Sequence, residues 1–277
     1  MKRLKSLPVL MYHHVSPNAG LVTISPECFA AQMLALKKAG YQTLSTLDLE
    51  NFFKGETLPP KSVLITFDDG YLDNRVFAYP VLKALKMRAV IFVVTDWIKN
   101  GNKRPFAKFE NFKTFTVENC PKTPEHNACK AEIAQGRADS VILNLSELLA
   151  MQDVFEYHPH THTHQRFDQI FANNVAQKRT ELFKDLNACQ AFFLQNFGQK
   201  STHLCWPQGY FDDDYVEIAT QAGFQFLYTT KPGANRINHS PRRIHRFVTK
   251  EKSGQWLKHR AWLYSVPWLA DFYAKGK

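Results

Sequence analysis

The sequence predicts an α/β fold in which parallel strands are covered by helices. Short β-branched runs alternate with turns and amphipathic helices along most of the 277 residues, and parallel strands require such crossovers. The composition, 44% hydrophobic and 22% charged, is typical of a globular protein. One α/β barrel commonly has about 250 residues, so we expect a single domain over residues 1–277.

The first predicted helix has a defined start and one apolar face. Ser25 is a typical N-cap, and Pro26 suits the first helical position. Phe29, Met33 and Leu36 follow at helical spacing. Further helices are predicted over residues 74–86, 146–152, 175–196 and 213–222. β-Branched and apolar runs predict strands over residues 8–12, 41–44, 62–67, 89–94, 154–157, 225–229 and 243–248, with another ending in Cys205-Trp206-Pro207.

Residues 99–144 interrupt this alternation. Basic and acidic residues are mixed there with prolines and isolated aromatics, and no apolar period continues through the segment. Long connections without a core of their own are often functional. We therefore expect an insertion or lid over residues 99–144 rather than a second domain.

The charge and the cysteines limit the class of protein. Lys and Arg number 35 against 25 Asp and Glu, and the net charge of +10 attracts polyanions such as nucleic acid, an anionic membrane or a phosphorylated glycolipid. We expect no nucleic-acid partner, because no clustered basic helix, finger or RNP-type motif occurs. The apolar runs are far shorter than the roughly 18 residues of a membrane span. Five scattered cysteines without a CxxC pair, and no signal-peptide core, favour a cytoplasmic location.

Two adjacent carboxylates follow the predicted strand 62–67. The run is Thr66-Phe67-Asp68-Asp69-Gly70. Successive side chains at a strand end point in different directions, so one carboxylate can face a metal ion while its neighbour faces a bound water. An ordinary Asp-Gly turn is the alternative explanation.

Four of the eleven histidines fall within seven residues, after the predicted strand 154–157. They are His158, His160, His162 and His164. If the segment turned helically, His160 and His164 would converge on one ion. The pairs His160 with His162 and His158 with His162 are alternatives, as is a solvated loop that binds metal only adventitiously.

A third pair, His13 and His14, follows the first predicted strand. The C-terminal ends of parallel barrel strands lie on one face, so we expect the three clusters to lie together. One Asp and two His form an open metal site, where the ion lowers the pKa of bound water to roughly 7. A second carboxylate can then act as general base and a protonated histidine as general acid. The constellation predicts metal-assisted hydrolysis of an amide or ester.

From residue 8 to residue 248 the motifs resemble, in order, the polysaccharide deacetylases of the NodB-homology type. This resemblance implies a distorted, incomplete (β/α) barrel. It also implies that Asp68 is the general base and that Asp69, His160 and His164, the histidines coming from a His-Thr-x-x-His motif, hold a divalent metal ion, with Zn²⁺ the first choice. The implied reaction removes the N-acetyl group from an N-acetylated amino sugar in a polysaccharide, a lipopolysaccharide core or a lipid-linked glycan.

The opening run Leu10-Met11-Tyr12-His13 is similar to the circularly permuted branch of the family, which includes poly-N-acetylglucosamine deacetylases. In that branch a histidine near the N-terminus is the general acid. The resemblance assigns this role to His13, with His14 the less favoured neighbour.

The family's Arg-x-Pro-aromatic-Gly motif is altered here to Cys205-Trp206-Pro207-Gln208-Gly209. The usual arginine orients the base, so either another cation does so, with Arg243 and Arg246 as candidates, or the base is held otherwise. The aromatic residue normally offers its backbone N–H to the oxyanion, which Gln208 can also do. We expect Cys205 to be a small buried strand residue rather than a nucleophile. These changes leave an alternative, a glycan- or glycolipid-binding member with weak or no catalysis.

The C-terminal segment, residues 254–277, is rich in aromatic and basic residues. It holds Trp256, Trp262 and Trp268, and four Lys or Arg against the single acid Asp271. We expect a helix that packs its tryptophans on the barrel. The alternative is an interfacial segment at the inner face of an anionic membrane, with its aromatics at headgroup depth.

Overall fold

The computed structural model describes residues 3–237 and 239–275, which form an open α/β barrel. Its helices are α1 (Pro26–Lys38), α2 (Thr46–Phe53), α3 (Tyr79–Ala84), α4 (His126–Ala134), α5 (Leu145–Ala150), α6 (Phe167–Ile170), α7 (Val175–Phe197), α8 (Asp213–Gln221), α9 (Gly254–Ser265) and α10 (Pro267–Lys275). Its strands are β1 (Val9–Tyr12), β2 (His14–Val15), β3 (Thr23–Ile24), β4 (Gln42–Thr43), β5 (Ser62–Phe67), β6 (Ala89–Val93), β7 (Lys108–Glu110), β8 (Thr114–Thr116), β9 (Phe155–Pro159), β10 (His203–Cys205), β11 (Phe226–Tyr228) and β12 (Phe247–Val248).

The main sheet has six parallel strands in the order β12-β1-β5-β6-β9, with β4 beside the start of β5. Met11 pairs with Thr66 across β1 and β5, and Ile91 pairs with Tyr157 across β6 and β9. Every residue of β5 and β6 is buried, as is typical of parallel strands covered on both faces. The predicted α/β class with parallel strands is confirmed.

The barrel has a seam between β9 and β10. The strands β10 and β11 form a separate parallel pair, and a bridge from Tyr228 to Ile244 continues the wall toward β12. No strand ladder joins β9 to β10 within residues 3–237 and 239–275. Side chains fill this seam: the rings of His158 and His203 lie 4.5 Å apart, and His158 Nδ1 lies 2.8 Å from Ser201 Oγ. Backbone hydrogen bonds alone therefore do not close the barrel between β9 and β10.

The predicted helix over residues 74–86 is divided into a π turn, Asn74–Ala78, and α3. Pro80 is the second residue of α3 and has no N–H to donate to the Val76 carbonyl. The N–H of Ala107 donates to that carbonyl instead, at 3.0 Å. The proline thus explains the change of helix type and gives the 99–144 segment a point of attachment.

The predicted strand over residues 243–248 is shorter than expected. Pro241–Arg243 is a 3₁₀ turn, and β12 contains only Phe247 and Val248. Arg246 lies between the two and is 1% exposed. An irregular backbone therefore carries a buried arginine into the barrel.

The segment 99–144 contains the β7–β8 hairpin and α4. Arg104 attaches it to the barrel domain, with Nε and Nη2 on the two carboxylate oxygens of the buried Glu147 at 2.8 and 2.6 Å. His126, the first residue of α4, lies against His14 with 3.1 Å between the ring nitrogens Nδ1 and Nε2. The single domain and the lid role of this segment stay predictions.

The helix α9 packs closely on α1. A Cβ atom on Gly254 would lie 2.5 Å from the Ala31 carbonyl oxygen, and Leu257 is fully buried. The expectation that the tryptophans pack on the barrel is wrong for Trp262 and Trp268, which are 51% and 69% exposed. Small and aliphatic residues and Tyr264, whose ring stacks on Phe247 at 4.6 Å, occupy the buried face of α9 instead. None of the helices within residues 3–237 and 239–275 combines the length and the apolar character that a bilayer crossing needs.

Candidate active site

The three predicted clusters lie at one end of the barrel, where parallel strands finish. His13 follows β1, Asp68 and Asp69 follow β5, and His160 follows β9. The carboxyl ends of parallel strands share a face, which is why residues so distant in the sequence meet there. Cys205, the last residue of β10, completes this set.

Asp69 faces two histidines. Its Oδ1 lies 3.4 Å from Nε2 of both His160 and His164, and the ligand atoms of the three residues all lie within 4.8 Å of one another. Asp69 is 5% exposed, and this Oδ1 has no hydrogen-bond partner in the part of the chain that the structure describes. A buried carboxylate oxygen without a partner is costly. An Asp-His-His donor set around such an oxygen fits a divalent metal ion.

The backbone and the electrostatics of Asp69 are consistent with an ionised carboxylate. Its φ of 72° is in the left-handed region, which turns it differently from Asp68. Burial acts to raise the pKa of the Asp69 carboxyl, but His164 and His160 outweigh it and hold that pKa well below its usual range. The carboxylate is therefore charged at neutral pH.

His160 has the tautomer that metal ligation needs. Its Nδ1 donates to the Cys205 carbonyl at 2.8 Å, which leaves a lone pair on Nε2, the nitrogen that faces Asp69. Burial lowers the pKa of His160 to about 4, although Asp68 and Asp69 act to raise it. The imidazole is neutral at pH 7, the usual form of a ligand histidine whose other nitrogen is bonded.

His164 reaches the group by an irregular loop. Thr161 and His164 have left-handed backbone, with φ of 65° and 60°, and the Thr161 hydroxyl accepts from the His164 N–H at 3.1 Å. The rings of His160 and His164 lie 5.1 Å apart. The two histidines do meet, but the segment does not form the helical i, i+4 turn that was considered for them.

His158 and His162 do not join this group. His158 fills the seam between β9 and β10. Nδ1 of His162 lies 2.8 Å from the Thr95 hydroxyl. The alternative ligand pairs that contain either residue are therefore not assembled on Asp69.

Asp68 is held by a buried arginine. Arg246 donates from Nη1 to Oδ1 at 2.6 Å and from Nη2 to Oδ2 at 2.8 Å. Burial acts to raise the pKa of Asp68, but the charges of Arg246, His13 and His160 hold it below its usual range. Of the two candidate arginines, only Arg246 reaches Asp68. Arg243 bonds to Asp213 on the surface instead, at 2.9 Å.

Cys205 lies beside this ion pair. Its Sγ is 3.0 Å from Arg246 Nη2 and 3.7 Å from Asp68 Oδ1. Burial raises the pKa of the Cys205 thiol well above its usual value. A buried neutral thiol packs against the pair and does not supply a thiolate nucleophile.

His13 and His14 have different surroundings. His13 Nε2 lies 3.7 Å from Asp68 Oδ2, and its side chain is 18% exposed. His14 is 1% exposed, and its Nδ1 lies 2.6 Å from Asp73 Oδ2. The site therefore contains His13, with a cavity of about 320 Å³ beside it, and His14 belongs to the core. Asn74 donates to the His13 carbonyl at 2.8 Å, and no motif in the sequence marks it.

Gln208 lies in the turn after β10. Its backbone is left-handed, with φ of 56°, and its side-chain Oε1 accepts from Arg166 Nη1 at 3.2 Å. The Arg166 guanidinium lies over the Tyr210 ring, 4.1 Å from its centroid. Neither Arg166 nor Tyr210 was predicted to belong to the site. Arg166 follows the histidine motif by two residues, and Tyr210 comes directly after Gly209.

Taken together, these groups bring a possible proton acceptor, a possible proton donor and three possible metal ligands into one site. Asp68 is an ionised carboxylate in a fixed orientation, His13 is a partly exposed imidazole within 3.7 Å of it, and the Asp69 group offers three ligands. A base and an acid on neighbouring positions are what amide hydrolysis needs.

Sequence comparisons identify the family of the chain. The chain matches the polysaccharide deacetylase family over residues 55–227, more than half of its length. YxkH of Bacillus subtilis strain 168 is 28% identical over 241 residues, which cover 87% of this chain and 70% of that protein. The poly-beta-1,6-N-acetyl-D-glucosamine N-deacetylase of Staphylococcus aureus strain MSSA476 is 24% identical over 244 residues, which cover 86% of this chain and 71% of that protein.

A solved structure shares the fold. The Streptococcus pyogenes deacetylase PplD in complex with acetate has a TM-score of 0.70 at 21% identity, and the match covers 93% of this chain and 98% of that one. The open, incomplete barrel that the resemblance implied is confirmed by this likeness and by the seam between β9 and β10. The chain therefore belongs to the polysaccharide deacetylase family.

Proposed function

We propose that this polysaccharide deacetylase hydrolyses the N-acetyl group of an N-acetylated amino sugar with the help of a divalent metal ion. The observation that carries the proposal is the convergence of Asp69, His160 and His164 beside Asp68, with Asp69 Oδ1 buried and unpaired within the described residues. We favour Zn²⁺, because two imidazoles and one carboxylate are typical zinc ligands. When bound, such an ion acts as a Lewis acid toward water and the acyl oxygen.

Asp68 is the general base in this proposal. The oxygen of the attacking water forms a bond to the acetyl carbon while its proton moves to a carboxylate oxygen of Asp68. The paired bonds from Arg246 support this role, because they fix the plane of the carboxylate. A fixed base loses little freedom when the proton is transferred.

His13 is the general acid. The bond from the acetyl carbon to the sugar nitrogen breaks as His13 gives its proton to that nitrogen, so that acetate and an amino sugar leave. The distance of 3.7 Å from His13 to Asp68 supports this division of roles across one reacting centre. We assign the backbone N–H of Gln208 to the oxyanion, since a main-chain donor does not depend on the side chain at that position.

The family and the name of one relative support an N-acetylated glycan as the substrate class. The Staphylococcus aureus relative is named for poly-beta-1,6-N-acetyl-D-glucosamine, and we extend that class, an N-acetylated glucosamine glycan, to this chain. The carrier is a polysaccharide, a lipopolysaccharide core or a lipid-linked glycan. Acetate release from N-acetylglucosamine oligomers and from lipid-linked acceptors distinguishes these carriers.

Two substitutions test the mechanism. We expect Asp68→Asn to keep the metal and stop acetate release, and His160→Ala to lose the metal, measured by elemental analysis of protein purified without added ions. Asp213→Asn, on a surface carboxylate 95% exposed, and His259→Ala are matched controls that keep both properties. Full activity of Asp68→Asn, or equal metal content in His160→Ala, would overturn the proposal.

A glycan-binding protein without efficient catalysis is the second candidate, and the replaced residues Cys205 and Gln208 are its basis. The bidentate contact of Arg246 with Asp68 favours catalysis, because the cation missing from position 205 is supplied from elsewhere. Binding of N-acetylglucosamine oligomers by calorimetry, with no acetate release with or without a chelator, would favour the second candidate.

We also propose that α9 and α10 touch an anionic membrane, at its inner face if the predicted cytoplasmic location holds. Trp262, Trp268 and Phe272 are exposed by 51%, 69% and 74%, and Lys258 and Lys275 belong to the same helices. Exposed aromatics with cations suit the interface of an anionic bilayer. The two helices cannot simply be deleted, because α9 packs on α1.

Point substitutions therefore test this contact. We expect Trp268→Ala combined with Phe272→Ala to reduce flotation with phosphatidylglycerol vesicles, with acetate release from soluble oligomers unchanged. Leu194→Ala, at an apolar residue 51% exposed on α7, is the control. Equal flotation of wild type and the double variant would contradict the contact.

A further inference from the structure

A buried carboxylate outside the site holds the loop that carries the second histidine. Asp185 of α7 is 5% exposed. Its Oδ2 accepts from the His162 N–H at 2.7 Å, and its Oδ1 accepts from the Thr163 N–H at 3.0 Å and from the Thr163 hydroxyl at 2.6 Å. Three donors of one short loop thus converge on one carboxylate.

This loop needs external support. Thr161 and His164 both have left-handed backbone, which costs L-residues roughly 1–2 kcal/mol each. The loop carbonyls of Thr161 and His162 accept from the backbone N–H groups of Thr95 and Asp96 at 3.3 and 3.0 Å. The segment after β6 therefore holds the carbonyl side of the loop, and Asp185 holds its N–H side.

The two ligand histidines depend on the loop to different degrees. The backbone N–H of His160 donates to the Val93 carbonyl at 2.7 Å, and its Nδ1 donates to Cys205, so the strands already fix it. The backbone N–H of His164 donates to the Thr161 hydroxyl, inside the loop itself. The position of His164 therefore follows the conformation that Asp185 maintains.

We propose that Asp185 is a positioning residue that presents His164 to the metal ion. The inference rests on the proposed function, since it requires an ion held by Asp69, His160 and His164. Carboxylates that hydrogen-bond directly to a ligand imidazole typically change metal affinity by about 10- to 100-fold when they are replaced. Asp185 instead bonds to the loop backbone and to the Thr163 hydroxyl.

The test compares Asp185→Asn with Glu181→Gln. Both changes remove one negative charge from α7, but Glu181 bonds to Lys184 on the surface, at 2.7 Å. We expect Asp185→Asn to weaken Zn²⁺ affinity at least about tenfold in chelator competition, and to alter the visible spectrum of the Co²⁺-loaded protein. Glu181→Gln should stay within about twofold of wild type.

Thr163→Ala is a second variant, which keeps the carboxylate and removes one bond to it. We expect a smaller loss of Zn²⁺ affinity in a protein that unfolds near the wild-type temperature. Wild-type affinity in Asp185→Asn or in Thr163→Ala would overturn the inference, even if catalysis fell. Failure of the proposed function gives a different result. Wild type and His160→Ala would then bind Zn²⁺ equally, which would overturn both the proposed function and this inference.

Discussion

Arg246 lies in the irregular segment before β12 and donates hydrogen bonds to both carboxylate oxygens of Asp68, at 2.6 and 2.8 Å. The same guanidinium donates from Nε to the Thr229 carbonyl at 2.8 Å and from Nη1 to the Thr66 hydroxyl at 3.1 Å. The cation that the resemblance implies at position 205 is thus absent there, Arg246 from another segment pairs with Asp68, and Cys205 lies beside this pair.

The first prediction concerns the orientation of the base. Arg246→Lys keeps the charge but loses the paired donors. We expect acetate release to fall about 100-fold, because a small displacement of a catalytic group has effects of that size, with metal content unchanged. Arg243→Lys is the control, since Arg243 bonds to the surface residue Asp213. Wild-type kcat/KM for Arg246→Lys would contradict this role.

The second prediction separates His13 from its neighbour. General acid catalysis contributes about 10²- to 10⁴-fold, so His13→Ala should lose that much activity on N-acetylglucosamine oligomers. It should lose far less on 4-nitrophenyl acetate, whose leaving group needs no proton. His14→Ala should instead lower the unfolding temperature, because it removes the imidazole that bonds Oδ2 of the buried Asp73. Equal losses of His13→Ala on both substrates would argue against an acid.

The third prediction is a pH dependence of stability. Burial, followed by the nearby His14 and Lys130, lowers the pKa of His126 to about 4. The pKa of a histidine in the unfolded chain is about 6.5. Between about pH 6.5 and pH 4 the unfolded chain therefore binds a proton that the folded chain does not. The free energy of unfolding decreases as the pH is lowered through this interval.

His126→Gln removes this proton uptake. We expect the variant to lose less stability than wild type over the same interval, by up to about 3 kcal/mol. Urea unfolding of the metal-free protein at several pH values measures the difference. Parallel curves for the two proteins would show that His126 does not titrate in this way.

The fourth prediction uses two glycines with similar backbone. Gly209 and Gly136 have φ of 69° and 77°. A Cβ atom on Gly209 would lie 1.9 Å from the Thr230 hydroxyl oxygen, whereas nothing lies within 4 Å of one on Gly136. Left-handed strain of roughly 1–2 kcal/mol applies to both alanine variants.

Only Gly209→Ala adds a clash. We expect it to lower the free energy of unfolding by about 2 kcal/mol more than Gly136→Ala does, and to reduce acetate release because the turn that carries Gln208 shifts. Chemical denaturation with an acetate assay measures both effects. Equal losses of stability in the two variants would mean that Thr230 gives way freely.

Local patterns in the sequence were enough to locate the strands of the main sheet and the acids and histidines at their ends, but they did not predict the short strands β2, β3, β7 and β8. The shared face of parallel strand ends predicted that the acids and the histidine cluster would meet, and the family resemblance singled out Asp69, His160 and His164. The histidines do not meet through the helical turn that was considered for them, since spacing does not reveal that Thr161 and His164 are left-handed.

Contacts between distant segments were beyond local pattern. Arg243 and Arg246 could not be separated, because their roles depend on a 3₁₀ turn and a strand of two residues. Asp185 lies in an ordinary helical sequence and gave no motif. The helix α2 was missed although Ser45 and Asp48 form a capping box at its start, which is a recognisable pattern.

The seam between β9 and β10 is joined differently from the main sheet. Backbone ladders join β12, β1, β5, β6 and β9, whereas His158, His203 and the bond from His160 to the Cys205 carbonyl cross the seam. The contacts between these imidazoles can be broken by rotation about side-chain bonds, without breaking a ladder of backbone hydrogen bonds. If the barrel deforms when a glycan binds, we therefore expect the change between β9 and β10 rather than within the ladders of β5, β6 and β9.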